Sequence, residues 1–148
     1  MFYASAYSGR CGLNFINLIG KLSSVSGTIF HYIMGLYPNS TDTKITDCET
    51  AESTVSGIGT STQRTDDENI LMGLSSITKI GTILNRYADT DNDGAADAGF
   101  DQCDTTDFPD AAVRELGTGI ANAVLSITAA SASFSTGALT DITAACAL

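Results

Sequence analysis

Apolar residues return at three- and four-residue steps through most of this chain. Phe15, Leu18, Leu22, Val25, Ile29, Ile33 and Leu36 make one series across residues 14–37, closed by Pro38-Asn39-Ser40. Ile70, Leu74, Ile77, Ile80, Leu84 and Tyr87 make a second, and Val113, Leu116, Ile120, Val124 and Ile127 a third. A 3.6-residue period returns side chains to one helix face, so each series predicts an amphipathic helix with its stripe turned to a core. Thr65-Asp66-Asp67-Glu68 opens the second helix as a capping box, with acids at the positive end of the dipole. Lys79 and Arg86 fall toward its other end, where the dipole favours cations. Asp107-Phe108-Pro109-Asp110 opens the third, with Asp107 as N-cap and Pro109 in the first turn. Residues 130–137 read as a break before a short final helix carrying Leu139, Ile142 and Cys146 on one side.

No run of alternating polar and apolar residues competes with this pattern, so the expectation is an all-α fold of three to four amphipathic helices. They form a single helical domain over residues 1–148, long enough to bury about two thirds of its unfolded surface. Residues 1–10 read as an N-terminal arm or tail, sticky with Phe2, Tyr3 and Tyr7. The Ser/Thr/Gly-rich residues 39–65 read as a long connection pinned by Cys48. Glycines such as Gly20, Gly73, Gly81, Gly117 and Gly119 fall inside the helices, each costing up to about 1 kcal/mol against Ala. Close approach of another helix, within the chain or from another subunit, is the plainest offset.

Between the second and third helices lies Asp89-Thr90-Asp91-Asn92-Asp93-Gly94-Ala95-Ala96-Asp97, followed by Asp101. Carboxylates at alternate positions before a glycine let a chain wrap its oxygens around a hard cation. Gly94 permits the sharp turn, and each Asp offers one or two oxygens. Without a counter-charge these groups repel one another. Calcium suits six to eight flexible oxygen ligands better than magnesium does. Asp89, Asp91, Asp93, Asp97 and Asp101 are therefore the candidate Ca2+ ligands, within an Asp-rich loop over residues 89–104.

The run resembles the calcium loops of EF-hand, dockerin and thrombospondin type 3 proteins over about fifteen residues. Asp89, Asp91, Asp93 and Asp97 match ligand positions one, three, five and nine, and Gly94 matches the glycine at six. The thrombospondin type 3 pattern implies Asp at twelve and Cys at fourteen. Here Phe100 takes the twelfth place, and Asp101 and Cys103 arrive one residue late. An inserted residue, Ala98 or Gly99, must loop out if Asp101 is to close the shell.

The net charge of −10, with only seven basic residues, argues against nucleic acid and against an anionic membrane surface. Eight of the seventeen acids lie between Asp89 and Asp110, leaving the remaining surface to Ser, Thr, Gly, Asn and Ala. Cys11, Cys48, Cys103 and Cys146 are widely spaced and form no metal-binding or redox motif. Two disulfides in an oxidising compartment fit, and three connectivities are open. Cys11–Cys48 and Cys103–Cys146 are favoured, each bracketing one helical region. The alternative is buried free thiols behaving as small hydrophobes.

Residues 1–10 lack a basic stretch followed by an apolar one, so they do not read as a signal peptide, and a secreted chain then needs a leader elsewhere. Arg10 and the absent apolar residue upstream count against lipidation at Cys11. No stretch approaches a transmembrane span of about 20 apolar residues. Asn39-Ser40-Thr41 fits a glycosylation acceptor. The single histidine, His31, reads as a helix residue at the edge of the core, and no nucleophile or phosphate-binding motif is present. The reading is therefore non-enzymatic. It is an extracellular, cell-surface or periplasmic structural protein, stabilised by calcium and self-associating as a homo-oligomer. A calcium-dependent binding module or surface lipoprotein with a protein partner, and a small hydrolase, are the other classes weighed.

Overall fold

A computed structural model describes residues 1–22 and 28–130, and these are helical, with no strand among them. The helices are α1 (Phe2–Cys11), α2 (Phe15–Leu22), α3 (Ile29–Met34), α4 (Asp42–Ser56), α5 (Asp66–Ala88) and α6 (Asp110–Ala130). The all-α expectation holds, but the described helices already number six rather than three to four. The series over 14–37 contains two of them, with residues 23–27 outside the described part. The final helix expected around Leu139, Ile142 and Cys146 also lies outside it.

Two differences have clear physical reasons. Residues 1–10, expected as an arm or tail, are almost entirely α1, because three tethers hold them. Cys11 is disulfide-bonded to Cys48, Arg10 pairs with the buried Asp47 at 3.0 Å, and the Ser8 hydroxyl lies 2.7 Å from that of Ser75. Residues 39–65, expected as a connection, contain the fifteen-residue α4. Its Ile45, Cys48, Ala51 and Val55 are buried at helical spacing. Thr46, Thr50 and Thr54 donate their hydroxyls back to carbonyls four residues earlier, so a Thr-rich composition is compatible with a helix. Thr41 caps the helix by accepting from the Lys44 N–H.

The capping box at α5 forms as expected: Thr65 accepts from the Glu68 N–H, and Glu68 accepts from the Thr65 N–H at 2.8 Å. Those bonds hold the Glu68 carboxyl below its ordinary pKa. At α6 the expected cap is displaced. Asp107 accepts instead from the Asp101 N–H, and the Pro109 carbonyl takes the first helical bond, from Val113.

Helix α5 is the axis of the fold and packs against α1, α3, α4 and α6. It is buried nearly all round from Met72 to Ile83, polar residues included. Leu18, Ile33, Tyr37, Leu74, Ile77, Ile80 and Ala123 make one apolar cluster. Ile45, Ile83, Phe108 and Ala112 make a second at the α5–α6 end, where Tyr87 and Phe100 meet Phe108 edge-on. Three helical glycines are explained by close approach. A Cβ would fall 2.8 Å from Ile127 at Gly73, 2.2 Å from Tyr37 at Gly81 and 3.1 Å from Lys79 at Gly119. No helix among the described residues is long and apolar enough to cross a membrane.

Candidate metal centre

Asp89 ends α5 and points its carboxylate inward, only 1% exposed. The Gly94 N–H approaches both of its oxygens, at 3.3 and 3.2 Å, and Asn85 Nδ2 donates to Oδ2 at 2.8 Å. Gly94 sits at φ +86°, a left-handed conformation that folds the chain back and that glycine adopts without strain. The loop closes when the Asp97 N–H bonds the Ala88 carbonyl at 2.6 Å. Thr90 then donates both its N–H and its hydroxyl to Asp97 Oδ2, and these bonds hold the Asp97 carboxyl below its ordinary range.

Carboxylate oxygens of Asp89, Asp91 and Asp97 thereby come within 4.8 Å of one another. Three like charges at that separation suit a hard, oxygen-loving cation. Among the described residues no Lys or Arg forms an ion pair with them. Asp93 and Asp101 are not in the cluster. Asp93 Oδ1 accepts from the Ala95 N–H, and Asp101 Oδ1 from the Cys103 N–H, both at 2.8 Å. Gly99, one of the two residues named as an insertion, lies at φ +90° in the turn before Phe100. Phe100 packs against Phe108, its ring centroid 6.0 Å away, so the twelfth position of the pattern anchors the loop to the core.

The loop is also docked onto the α3–α4 junction. Asn92, at φ +64°, accepts from the Asn39 N–H at 2.5 Å, and Asn85 Oδ1 accepts from the Ser40 N–H at 3.0 Å. A Cβ on Gly35 would lie 3.4 Å from the Gly94 Cα. Asn85, Asn92, Asn39 and Gly35 are supporting residues that the pattern of carboxylates does not single out. Asn92 occupies an even-numbered place between the ligand positions, and that spacing is its only signal.

A second group of carboxylates lies inside the helix bundle. Lys79 on α5 is 1% exposed, and its ammonium reaches Glu52 of α4 at 2.5 Å and Glu115 of α6 at 2.9 Å. Thr118 accepts its third hydrogen at 3.1 Å, and Ser76 donates to the other Glu52 oxygen at 2.5 Å. Burial pushes the nearby Glu49 carboxyl up, assisted by the charge on Glu115. Lys79, expected to complement the helix dipole, instead joins three helices. His31 is exposed on α3.

The Cys11–Cys48 pairing is present, with Cα atoms 4.9 Å apart. A Cys11 sulfur bonded to Cys48 is not available for a thioether lipid. Cys103 is exposed and has no disulfide partner among the described residues; Cys146, its expected partner, lies outside them. No family model, curated protein or solved structure matches the chain.

Proposed function

We propose that this is a calcium-stabilised structural protein of the cell exterior, a self-associating subunit whose Asp89 loop takes one Ca2+. The observation that carries the reading is the convergence of Asp89, Asp91 and Asp97 at one point, with the most buried of them at the end of the central helix. Bound calcium would neutralise that point and tie α5 to the α3–α4 junction through the contacts at Asn39, Ser40 and Gly35. Asp93 and Asp101, each with an oxygen not used by its turn, are the residues to complete the shell. Millimolar calcium and an oxidising medium occur together outside the cytosol, and the Cys11–Cys48 bond supports that setting. A second disulfide, Cys103–Cys146, belongs to the same reading.

Support for self-association comes from the apolar surface of the first two helices. Phe2 is 96% exposed and Ile16 83%, with Tyr3, Phe15 and Ile19 also exposed. The test has two arms. Thermal melting with millimolar calcium and then with chelator should give a clearly higher Tm with calcium, and an unchanged Tm rejects the ion. Sedimentation in calcium should give an oligomer that dissociates on dilution, and a monomer at high concentration rejects the subunit.

A further inference from the structure

Lys79 is the one cation among the described residues that is fully buried, and more than a counter-ion is gathered around it. Its ammonium lies 2.5 Å from Glu52 Oε2 and 2.9 Å from Glu115 Oε2. The two carboxyls differ in their surroundings. The Glu52 side chain is 7% exposed and has both oxygens engaged, Oε2 by Lys79 and Oε1 by the Ser76 hydroxyl at 2.5 Å. The Glu115 side chain is 37% exposed and opens the site to solvent on the α6 side. Thr118 Oγ1 stands between, 3.1 Å from the Lys79 nitrogen and 3.3 Å from Glu115 Oε2. Gly119 leaves room for the lysine, since a Cβ there would fall 3.1 Å from Lys79 Cε. An amine, a dry carboxyl, a hydroxyl on that carboxyl's other oxygen and a second, wetter carboxyl on the amine are the groups that amide formation needs.

We propose that Lys79 and Glu52 condense to a side-chain amide, an isopeptide bond that ties α4 to α5 with loss of one water. The lysine passes one proton to Glu52 Oε2, which leaves a neutral amine against a protonated carboxyl. Cδ is one C–O bond beyond Oε2 and so within about 3.7 Å of the nitrogen. Turning the carboxyl plane brings it to an attack distance of about 3–3.5 Å without moving either helix. The Nζ lone pair forms the N–C bond, and negative charge moves to Oε1, where the Ser76 hydroxyl donates to it. Glu115 takes a second proton from the nitrogen and returns it to the departing Oε2 hydroxyl. The Cδ–Oε2 bond breaks, and Oε2 leaves as water on the open Glu115 side. One hydrogen stays on the amide nitrogen, so atoms, charge and electrons balance with no oxidant or other reactant.

Two features of the site favour the product. Amine and acid held face to face react at an effective concentration of about 10⁵–10⁸ M. A buried ion pair carries the desolvation cost of both charges, and the amide removes both. Burial also pushes the carboxyl of Glu49, one turn earlier on α4, toward its protonated form, so the surroundings of Glu52 disfavour carboxylate charge. The ion pair is the state from which the bond forms, and replacing Lys79 strands Glu52 in either case. With Cys11–Cys48 joining α1 to α4, the bond makes a covalent series of α1, α4 and α5.

The intact mass of the full chain, reduced and denatured, should fall one water short of the mass of its sequence. Peptide mapping should then find the Glu52 peptide joined to the Lys79 peptide. A chain at full mass overturns the proposal. So does a missing water located elsewhere, with Asp93-Gly94 the place to look, because aspartate before glycine also dehydrates. Glu115→Gln keeps a polar group on the nitrogen but cannot carry the proton. It should remain at full mass over the time in which the wild type loses its water, and equal dehydration overturns the role of Glu115. The first readout uses the wild type alone, so it stands even where a variant does not fold. None of these readouts involves calcium: a full-mass chain whose Tm still rises with calcium rejects the bond and leaves the Asp89 reading standing.

Discussion

Two groups of carboxylates meet α5, one around Lys79 in mid-helix and one at its C-terminal end, and the chain treats them differently. In mid-helix, Glu52 and Glu115 converge on Lys79, so the protein supplies the counter-ion from its own core. At the helix end, Asp89, Asp91 and Asp97 converge on one another, and none of the ion pairs among the described residues involves them. The first arrangement is closed: the lysine's hydrogens meet two carboxylates and a threonine hydroxyl. The second gathers three carboxylates with no Lys or Arg paired to them among the described residues, and the proposal is that a cation from solution balances them. A buried internal ion pair contributes little net stability but is costly to break on one side. An external ion makes stability depend on its concentration. On the proposed reading, the first site joins three helices from within and the second makes the stability of the fold respond to the ions around it.

The largest expected effect breaks the internal site. Lys79→Met leaves Glu52 buried without its ammonium and should cost about 3–5 kcal/mol in urea unfolding, with or without calcium. Adding Glu52→Leu to that variant should recover much of the loss, since the stranded charge is then gone. A single-variant loss below about 1 kcal/mol would mean that water reaches the site. Next comes the covalent tether. Replacing Cys11 and Cys48 with alanine releases a bridge spanning 37 residues and should cost about 3–4 kcal/mol, again independently of calcium.

The third variant sharpens the contrast. With calcium at a hundredfold excess over Kd, the wild type gains about 2.7 kcal/mol, and Asp89→Ala should abolish that gain while Lys79→Met keeps it. A calcium-dependent Tm that survives Asp89→Ala would move the ion elsewhere. The smallest effect concerns Glu49, whose folded carboxyl is raised above 4.5 first by burial and then by Glu115. Its stability contribution is fully present at acid pH and is lost as pH rises through the raised value. Glu49→Gln should therefore match the wild type at low pH and exceed it slightly at neutral pH, as read from melting curves across that range.

The helical class, the capping box at Thr65 and the turn at Gly94 are legible in the sequence because each depends on residues a few places apart. The same holds for Asp89, Asp91 and Asp97, whose spacing is the loop's own geometry. Helix α4 is missed when composition is read in place of period. Ile45, Cys48, Ala51 and Val55 already give a stripe, and its burial against α1 and α5 outweighs the weak helix propensity of the threonines. The role of Lys79 cannot be read locally, since its partners lie 27 and 36 residues away on two other helices. Likewise the register of the loop is set by Phe100 meeting Phe108 and by Asn92 meeting Asn39, contacts made only once the bundle has formed.

The central claim is that the helix-end carboxylates take a cation from outside the chain and the mid-helix ones do not. Isothermal titration of calcium into chelator-treated protein tests it most directly, with Asp89→Ala alongside. The account predicts one ion per chain for the wild type and for Lys79→Met, and none for Asp89→Ala. Heat no greater than dilution for the wild type at millimolar calcium would contradict it.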